Sequence, residues 1–123
     1  MSKLIYVIED EKEVCEILRI TFETRDYKVE TGYDGETAIK MVEKKKPDLL
    51  ILDLKIPKIN GYEIINRFKS SPELAKIPIM VLTCLTQGSN KSDEEWKKSL
   101  GVEDFITKPF DPLDILKRAQ QLI

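Results

Sequence analysis

Histidine is absent from the sequence, and cysteine occurs only twice, as Cys15 and Cys84. Without histidine the chain has no imidazole for acid–base catalysis, and it forms no phosphohistidine of its own. The two cysteines have neither a metal-binding spacing nor a disulfide pattern. A reducing, cytoplasmic setting is therefore expected.

Long hydrophobic runs and an excess of one charge are lacking as well. No run approaches the roughly 18 apolar residues of a membrane span, and the N-terminus has no signal-peptide anatomy. The net charge is only −2 although 34% of the residues are charged, so we expect no direct binding of nucleic acid or membrane. With 41% hydrophobic residues, the 123 residues are enough for one domain, which we place at 1–123.

Short apolar runs alternate with helical patterns along the chain. The runs expected to form strands are 4–8, 28–33, 49–52, 79–82 and 105–107. Helices are expected after each run, and three of them begin near the turn and capping residues Asp34, Asn60 and Asp111. Strands alternating with helices predict right-handed βαβ units and a parallel sheet. Because the strands are continuously apolar, we expect helices on both faces of that sheet.

Four of these runs end at a polar residue. These residues are Asp10, Asp53, Thr83 and Lys108. In parallel α/β sheets, ligands bind at the carboxyl ends of the strands, so we expect the four side chains along one edge. Carboxylates, a hydroxyl and an ammonium group placed together indicate metal-assisted phosphate chemistry.

The acidic residues Glu9, Asp10 and Glu11 follow the first run, and Asp53 follows the third. Carboxylates brought together repel one another, and a divalent cation relieves that repulsion. Oxygen ligands without His or Cys favour a hard ion, Mg²⁺ or Mn²⁺. We place Asp10 and Asp53 in the metal site, and we interpret Glu11 as a solvated residue near a helix N-terminus.

Asp53 is a candidate nucleophile. An aspartate can attack phosphorus and form an acyl phosphate. Phosphoryl transfer needs charge neutralisation above all, here from a metal ion on one side and Lys108 on the other. The Thr83 hydroxyl would donate to a phosphoryl oxygen. A cis bond between Lys108 and Pro109 would define how the lysine side chain enters the site.

Five ordered motifs in the sequence resemble those of response-regulator receiver domains over essentially the whole chain. They are VIEDE at 7–11, PDLLILDL at 47–54, PKINGYE at 57–63, VLT at 81–83 and FITKPF at 105–110. The resemblance implies a flavodoxin-like (βα)5 three-layer sandwich with a parallel five-stranded sheet of order 2-1-3-4-5.

The resemblance also implies a role for each residue of the metal site. Asp53 is the implied phosphoacceptor and a metal ligand. Asp10 is the implied direct ligand, and Glu9 acts through water. The backbone carbonyl of Lys55 is the implied main-chain ligand. Mg²⁺ is the expected cofactor, with Mn²⁺ as a substitute.

Thr83 and Lys108 are implied to contact the phosphoryl group, and Phe105 is implied to be a switching aromatic, with plain core packing as the alternative. The donor is implied to be a phosphohistidine on a sensor histidine kinase or a histidine phosphotransfer protein, acting in trans. Phosphorylation is expected to change the face of helix 4, strand 5 and helix 5 for an unknown downstream protein. We expect a signalling domain that assists its own phosphorylation and dephosphorylation, as a monomer or a phosphorylation-dependent dimer.

Two features depart from the family pattern. Lys55 and Leu85 follow Asp53 and Thr83 by two residues, at positions that influence loss of the phosphoryl group. Because a lysine pairs with phosphate and a leucine cannot orient water, we predict a long-lived acyl phosphate. The segment between Thr83 and Phe105 is also a few residues longer than usual, beside the expected output face.

Three other functions stay open at this point. A metal-dependent phosphatase that uses an aspartyl phosphate typically has a second Asp two residues after the nucleophile, where this chain has Lys55. A flavodoxin would have a first loop rich in Ser, Thr and Gly, whereas the acidic residues 9–11 would repel a flavin phosphate. An interaction module that is never phosphorylated would not need all four strand-end residues.

Overall fold

Parallel strands, most of them strongly apolar, form the central sheet of the molecule. The computed structural model describes residues 2–84 and 91–123. The strands in these ranges are β1 (Leu4–Ile8), β2 (Lys28–Gly32), β3 (Leu49–Leu52), β4 (Ile79–Thr83) and β5 (Asp104–Thr107). All neighbouring strands are parallel, and their order is β2-β1-β3-β4-β5. The expected flavodoxin-like order is confirmed, and the least apolar strand, β2, lies at an edge.

Helices follow the strands in the expected alternation. They are α1 (Lys12–Glu23), α2 (Gly35–Lys44), α3 (Gly61–Ser70), α4 (Asp93–Leu100) and α5 (Pro112–Leu122). Short polar side chains cap four of them, because such side chains accept hydrogen bonds from the unpaired N–H groups of a first turn. The capping residues are Asp34, Asn60, Ser92 and Asp111. In the described part of the chain, none of the helices has the length and apolar character needed to span a membrane.

The core consists of two layers on opposite sides of the sheet. Successive residues of a strand point to opposite faces. Tyr6 accordingly belongs to the layer formed with residues of α2, α3 and α4, whereas its neighbour Val7 belongs to the layer formed with residues of α1 and α5. Phe68 and Phe22 fill the two layers, and both rings are essentially inaccessible to solvent. This arrangement is the expected three-layer sandwich.

Three strand boundaries differ by one residue from the expected ones. β2 ends at Gly32, β4 continues through Thr83, and β5 begins at Asp104. Pairing explains the last two, because Thr83 pairs with Thr107 and Asp104 pairs with Met80. The length of a strand depends on the neighbouring strand with which it pairs, and the hydrophobic pattern of a single segment does not encode that pairing.

Candidate functional site

The parallel sheet brings the four strand-end residues to one edge. Asp10 and Asp53 follow β1 and β3, Thr83 closes β4, and Lys108 follows β5. Backbone hydrogen bonds continue past the strand ends. The Asp53 N–H donates to the Ile8 carbonyl at 3.0 Å, and the Lys108 N–H donates to the Thr83 carbonyl at 2.8 Å. The side chains that follow the strands are therefore held by the sheet itself.

Three carboxylates converge at this edge. Glu9, Asp10 and Asp53 each place one carboxylate oxygen so that all three oxygens lie within 4.8 Å of one another. Glu9 and Asp53 are only 2% and 4% exposed, whereas Asp10 is open to solvent. A set of oxygen donors with one open side suits a hard divalent cation that keeps some of its water. The residues present therefore fit Mg²⁺ or Mn²⁺.

The Lys108 ammonium group lies among these carboxylates. Its Nζ is 2.5 Å from Glu9 Oε1, 3.1 Å from Asp53 Oδ2 and 3.2 Å from Glu11 Oε1. The Lys108–Pro109 peptide bond is cis. Glu11 is 59% exposed, as expected of a solvated residue, yet it reaches the lysine. The close pairing of Lys108 with Glu9 was not predicted from the sequence, where the two residues lie far apart.

Burial and charge set the protonation of this cluster. Burial raises the pKa of Glu9 to about 8, and the Asp53 charge adds to this rise, although the hydrogen bond from Lys108 opposes it. Burial alone would lower the pKa of Lys108, but hydrogen bonds and charges from Glu9 and Asp53 raise it overall. Lys108 thus stays protonated, and one ammonium group faces several carboxylates. A second source of positive charge would favour the ionised cluster.

Asp53 is held through both of its carboxylate oxygens. Oδ2 pairs with Lys108, and Oδ1 accepts a hydrogen bond from the Lys55 N–H at 3.0 Å. Lys55 thus contacts the site through its main chain. The role of its carbonyl as a metal ligand stays a prediction. Residues 85–90, which include Leu85 and belong to the lengthened segment after Thr83, lie outside the described residues.

Phe105 is buried and stacks on Trp96 of α4. Their ring centroids are 5.8 Å apart, with an interplanar angle of 9°. The Trp96 Nε1 is buried and has no hydrogen-bond partner among the residues that the structure describes. At the start of α4, Asp93 accepts a hydrogen bond from the Thr107 N–H at 3.3 Å. The core packing considered for Phe105 is observed, and its switching role stays a prediction. Trp96 was missed from the sequence, although it is the only tryptophan.

An apolar groove opens beside the site, between the first turns of α1 and the loop before α5. Its volume is about 510 Å³. The lining residues are Glu11, Val14, Ile17, Cys84, Lys108, Pro109, Phe110 and Pro112. The apolar residues here lie next to the ammonium group that contacts Asp53. The sequence signal for the groove was weak, because Val14 and Ile17 also fit the buried face of an amphipathic helix.

Comparisons with known proteins agree on one family. The family model described as the response regulator receiver domain matches residues 5–120. The chain is 35% identical over 127 residues to the alkaline phosphatase synthesis transcriptional regulatory protein PhoP of Bacillus subtilis (strain 168), covering 100% of the chain and 49% of that protein. The chain spans about half the length of the curated relatives it matches.

Solved structures agree with this assignment. A putative response regulator from Chloroflexus aurantiacus J-10-fl is similar with a TM-score of 0.87 and 28% identity, over 99% of this chain and 98% of that one. The Mn²⁺-bound form of response regulator Rcp1 is similar with a TM-score of 0.77 and 28% identity, over 98% of this chain and 91% of that one.

Proposed function

Because the chain belongs to the response regulator receiver domain family, we propose that Asp53 accepts a phosphoryl group in a reaction that depends on Mg²⁺. Receiver domains are the phosphorylation-based signalling modules of two-component systems, and they interact with histidine kinases. This membership removes the flavodoxin and phosphatase alternatives. The observation that supports Asp53 is the convergence of Glu9, Asp10 and Lys108 on its nearly buried carboxylate.

In the proposed reaction, an Asp53 carboxylate oxygen attacks the phosphorus of a phosphohistidine. The new P–O bond forms as the P–N bond breaks, and its electron pair stays with the donor imidazole. Asp10, Asp53 and the Lys55 carbonyl would hold the metal ion, with Glu9 acting through water. The bound ion would supply positive charge to the phosphoryl oxygens. The existence of a Mn²⁺-bound form of the similar response regulator Rcp1 supports the binding of a divalent metal.

Lys108 and Thr83 are the proposed contacts of the phosphoryl group. Lys108 already lies 3.1 Å from Asp53 Oδ2, so it can follow the charge as it moves onto the phosphoryl oxygens. Thr83 is fully buried at the end of β4, where its hydroxyl would donate to the phosphoryl group. In this way the chain assists its own phosphorylation, and with water as the attacking group it assists dephosphorylation.

The proposed output passes through Phe105 to α4. A Thr83 shift toward the phosphoryl group would change the packing around Phe105, which lies on the adjacent strand. Trp96 would then lose or alter its stacking, and α4 buries none of its residues completely, so it is the helix most easily moved. The α4–β5–α5 face would present the new state to a downstream protein, as a monomer or a phosphorylation-dependent dimer. A cytoplasmic location and the absence of direct nucleic acid binding stay predictions.

Labelling with acetyl phosphate tests the proposed function. The wild-type protein is incubated with acetyl phosphate and Mg²⁺, and its intact mass is measured. We expect one added phosphoryl group with Mg²⁺ and none with excess EDTA, because the metal charge is needed for transfer. Borohydride reduction followed by peptide mapping should locate the adduct at Asp53. Labelling that is absent with Mg²⁺, or equally strong with EDTA, would contradict the proposal.

We propose that the groove beside Lys108 receives the donor protein, because a phosphohistidine that approaches Asp53 must pass this surface. Ile17 lines the groove and is 44% exposed. Ile17→Glu is expected to slow transfer from a phosphorylated histidine phosphotransfer protein by about tenfold or more, since a charge would face an apolar contact. Labelling by acetyl phosphate, which needs no docking, should be unchanged.

The matched control is Ile20→Glu, on the same helix and 56% exposed but outside the groove lining. A panel of phosphorylated histidine phosphotransfer domains is used, and rates are compared for the fastest donor. Docking in the groove is refuted if Ile17→Glu and Ile20→Glu receive the phosphoryl group from the donor at the same rate. It is also refuted if Ile17→Glu slows labelling by acetyl phosphate.

A further inference from the structure

Helix α2 begins in direct contact with the loop between β3 and α3, residues 53–60. The Gly35 N–H donates a hydrogen bond to the Pro57 carbonyl at 3.1 Å. A Cβ atom placed on Gly35 would lie 1.8 Å from the Ile59 carbonyl oxygen and 2.6 Å from its carbonyl carbon. Both atoms belong to the main chain, so no side-chain rotation relieves the overlap. Only glycine allows the helix and the loop to approach this closely.

A second contact joins the same two segments. Lys58 has a left-handed backbone conformation, with φ of 69°, and its Nζ lies 3.7 Å from Asp34 Oδ2. Asp34 also caps α2 by accepting from the Thr37 N–H at 2.7 Å through Oδ1. The Lys58 side chain is 59% exposed, and exposed ion pairs contribute little to the free energy of folding. The Gly35 contact therefore constrains the loop more strongly than this ion pair does.

The loop carries part of the phosphorylation site. It begins at Asp53, and the Lys55 N–H binds Asp53 Oδ1. At its far end the Gly61 N–H donates to the Leu54 carbonyl at 3.1 Å, which closes the loop onto its own start. A displacement of the middle of the loop, where Gly35 contacts Pro57 and Ile59, would therefore also displace the main chain at Lys55.

We propose that Gly35 is a positioning residue for the metal site, because its missing side chain sets where the 53–60 loop holds the Lys55 main chain. This inference rests on the proposed function, in which the Lys55 carbonyl and the Asp53 carboxylate bind the metal. Gly35→Ala must push the loop away from α2. Supporting groups around metal ligands typically change metal affinity by about 10–100-fold, so we expect the Mg²⁺ dissociation constant to rise at least about tenfold.

The measurement is isothermal titration calorimetry of Mg²⁺ binding to the unphosphorylated protein, with acetyl phosphate labelling followed separately. Gly101→Ala is the matched control. Alanine would be strained there too, because Gly101 has a φ of 67°, but Gly101 follows α4 and lies away from the loop. We expect a raised dissociation constant only for Gly35→Ala. Its labelling rate should recover to within about threefold of wild type at saturating Mg²⁺, as for a loss of uniform binding.

A second pair of variants covers the case in which Gly35→Ala does not fold. Ile59 and Ile77 are both partly buried against the same core cluster. Ile77, however, precedes β4 and so lies at the amino ends of the strands, away from the site at their carboxyl ends. Ile59→Ala should weaken Mg²⁺ binding, and Ile77→Ala should not. Equal dissociation constants within the folded pair, while wild type is still labelled at Asp53, would overturn the role of Gly35. A wild type that is not labelled would instead overturn the proposed function.

Discussion

Asp53→Asn is expected to remove all detectable labelling by acetyl phosphate, a loss of at least about 10³-fold in rate. The amide has the same shape as the carboxylate, and its oxygen can still accept from the Lys55 N–H. It has no anionic oxygen to attack phosphorus and form an acyl phosphate. The fold should persist, because the backbone of Asp53 stays bonded to Ile8. Intact-mass spectrometry with Mg²⁺ present measures the adduct.

The matched control for this prediction is Asp34→Asn. Asp34 is another acidic residue after a strand on the same side of the sheet, and asparagine caps a helix as well as aspartate does. It should be labelled like wild type. An adduct of equal amount in Asp53→Asn, or one that maps to a different residue, would show that Asp53 is not the acceptor.

Lys108→Met is expected to lower the rate of phosphorylation by about 10²–10³-fold, as when one preorganised charge donor is removed from an active site. Methionine retains much of the length and apolar character of the side chain but has no ammonium group near Asp53 and Glu9. Mg²⁺ binding should not weaken, because a competing cation has left the carboxylate cluster. The labelling rate and the Mg²⁺ dissociation constant are measured on the same preparation.

Lys58→Met is the matched control for Lys108→Met. Lys58 lies near the same edge of the sheet, but its ammonium group pairs with Asp34 rather than with the cluster. It should be labelled within about twofold of the wild-type rate, since an exposed pair contributes little. The fluorescence of Trp96, the only tryptophan of the sequence, gives a second measurement, because it reports on the environment of the ring that stacks on Phe105. A Lys108→Met protein that is labelled at the wild-type rate, or that binds Mg²⁺ much more weakly, would contradict the proposed role.

Most of the fold could be predicted because its signals are local. The central strands β1, β3 and β4 are almost continuous apolar runs, and capping residues such as Asp34 and Asn60 directly precede their helices. The expected boundaries of β2, β4 and β5 differed by one residue from the observed ones at Gly32, Thr83 and Asp104, and the last two depend on pairing between neighbouring strands. Local hydrophobicity does not contain that information.

Part of the candidate site could likewise be predicted from the sequence, and part could not. The sequence by itself determined that Asp10, Asp53, Thr83 and Lys108 lie at one edge, because parallel strands place all their carboxyl ends together. Its ordered motifs also indicated the family that the comparisons establish.

Only the tertiary structure decided which side chains and main-chain atoms are in contact in and around the site. It paired Lys108 with Glu9, stacked Trp96 on Phe105, and pressed Gly35 against the main chain of Ile59. The physical reason is that such contacts join residues from different segments, at distances of a few ångströms. Strand polarity determines the edge at which a side chain lies, but the twist of the sheet and the packing of its helices determine the atom that it meets.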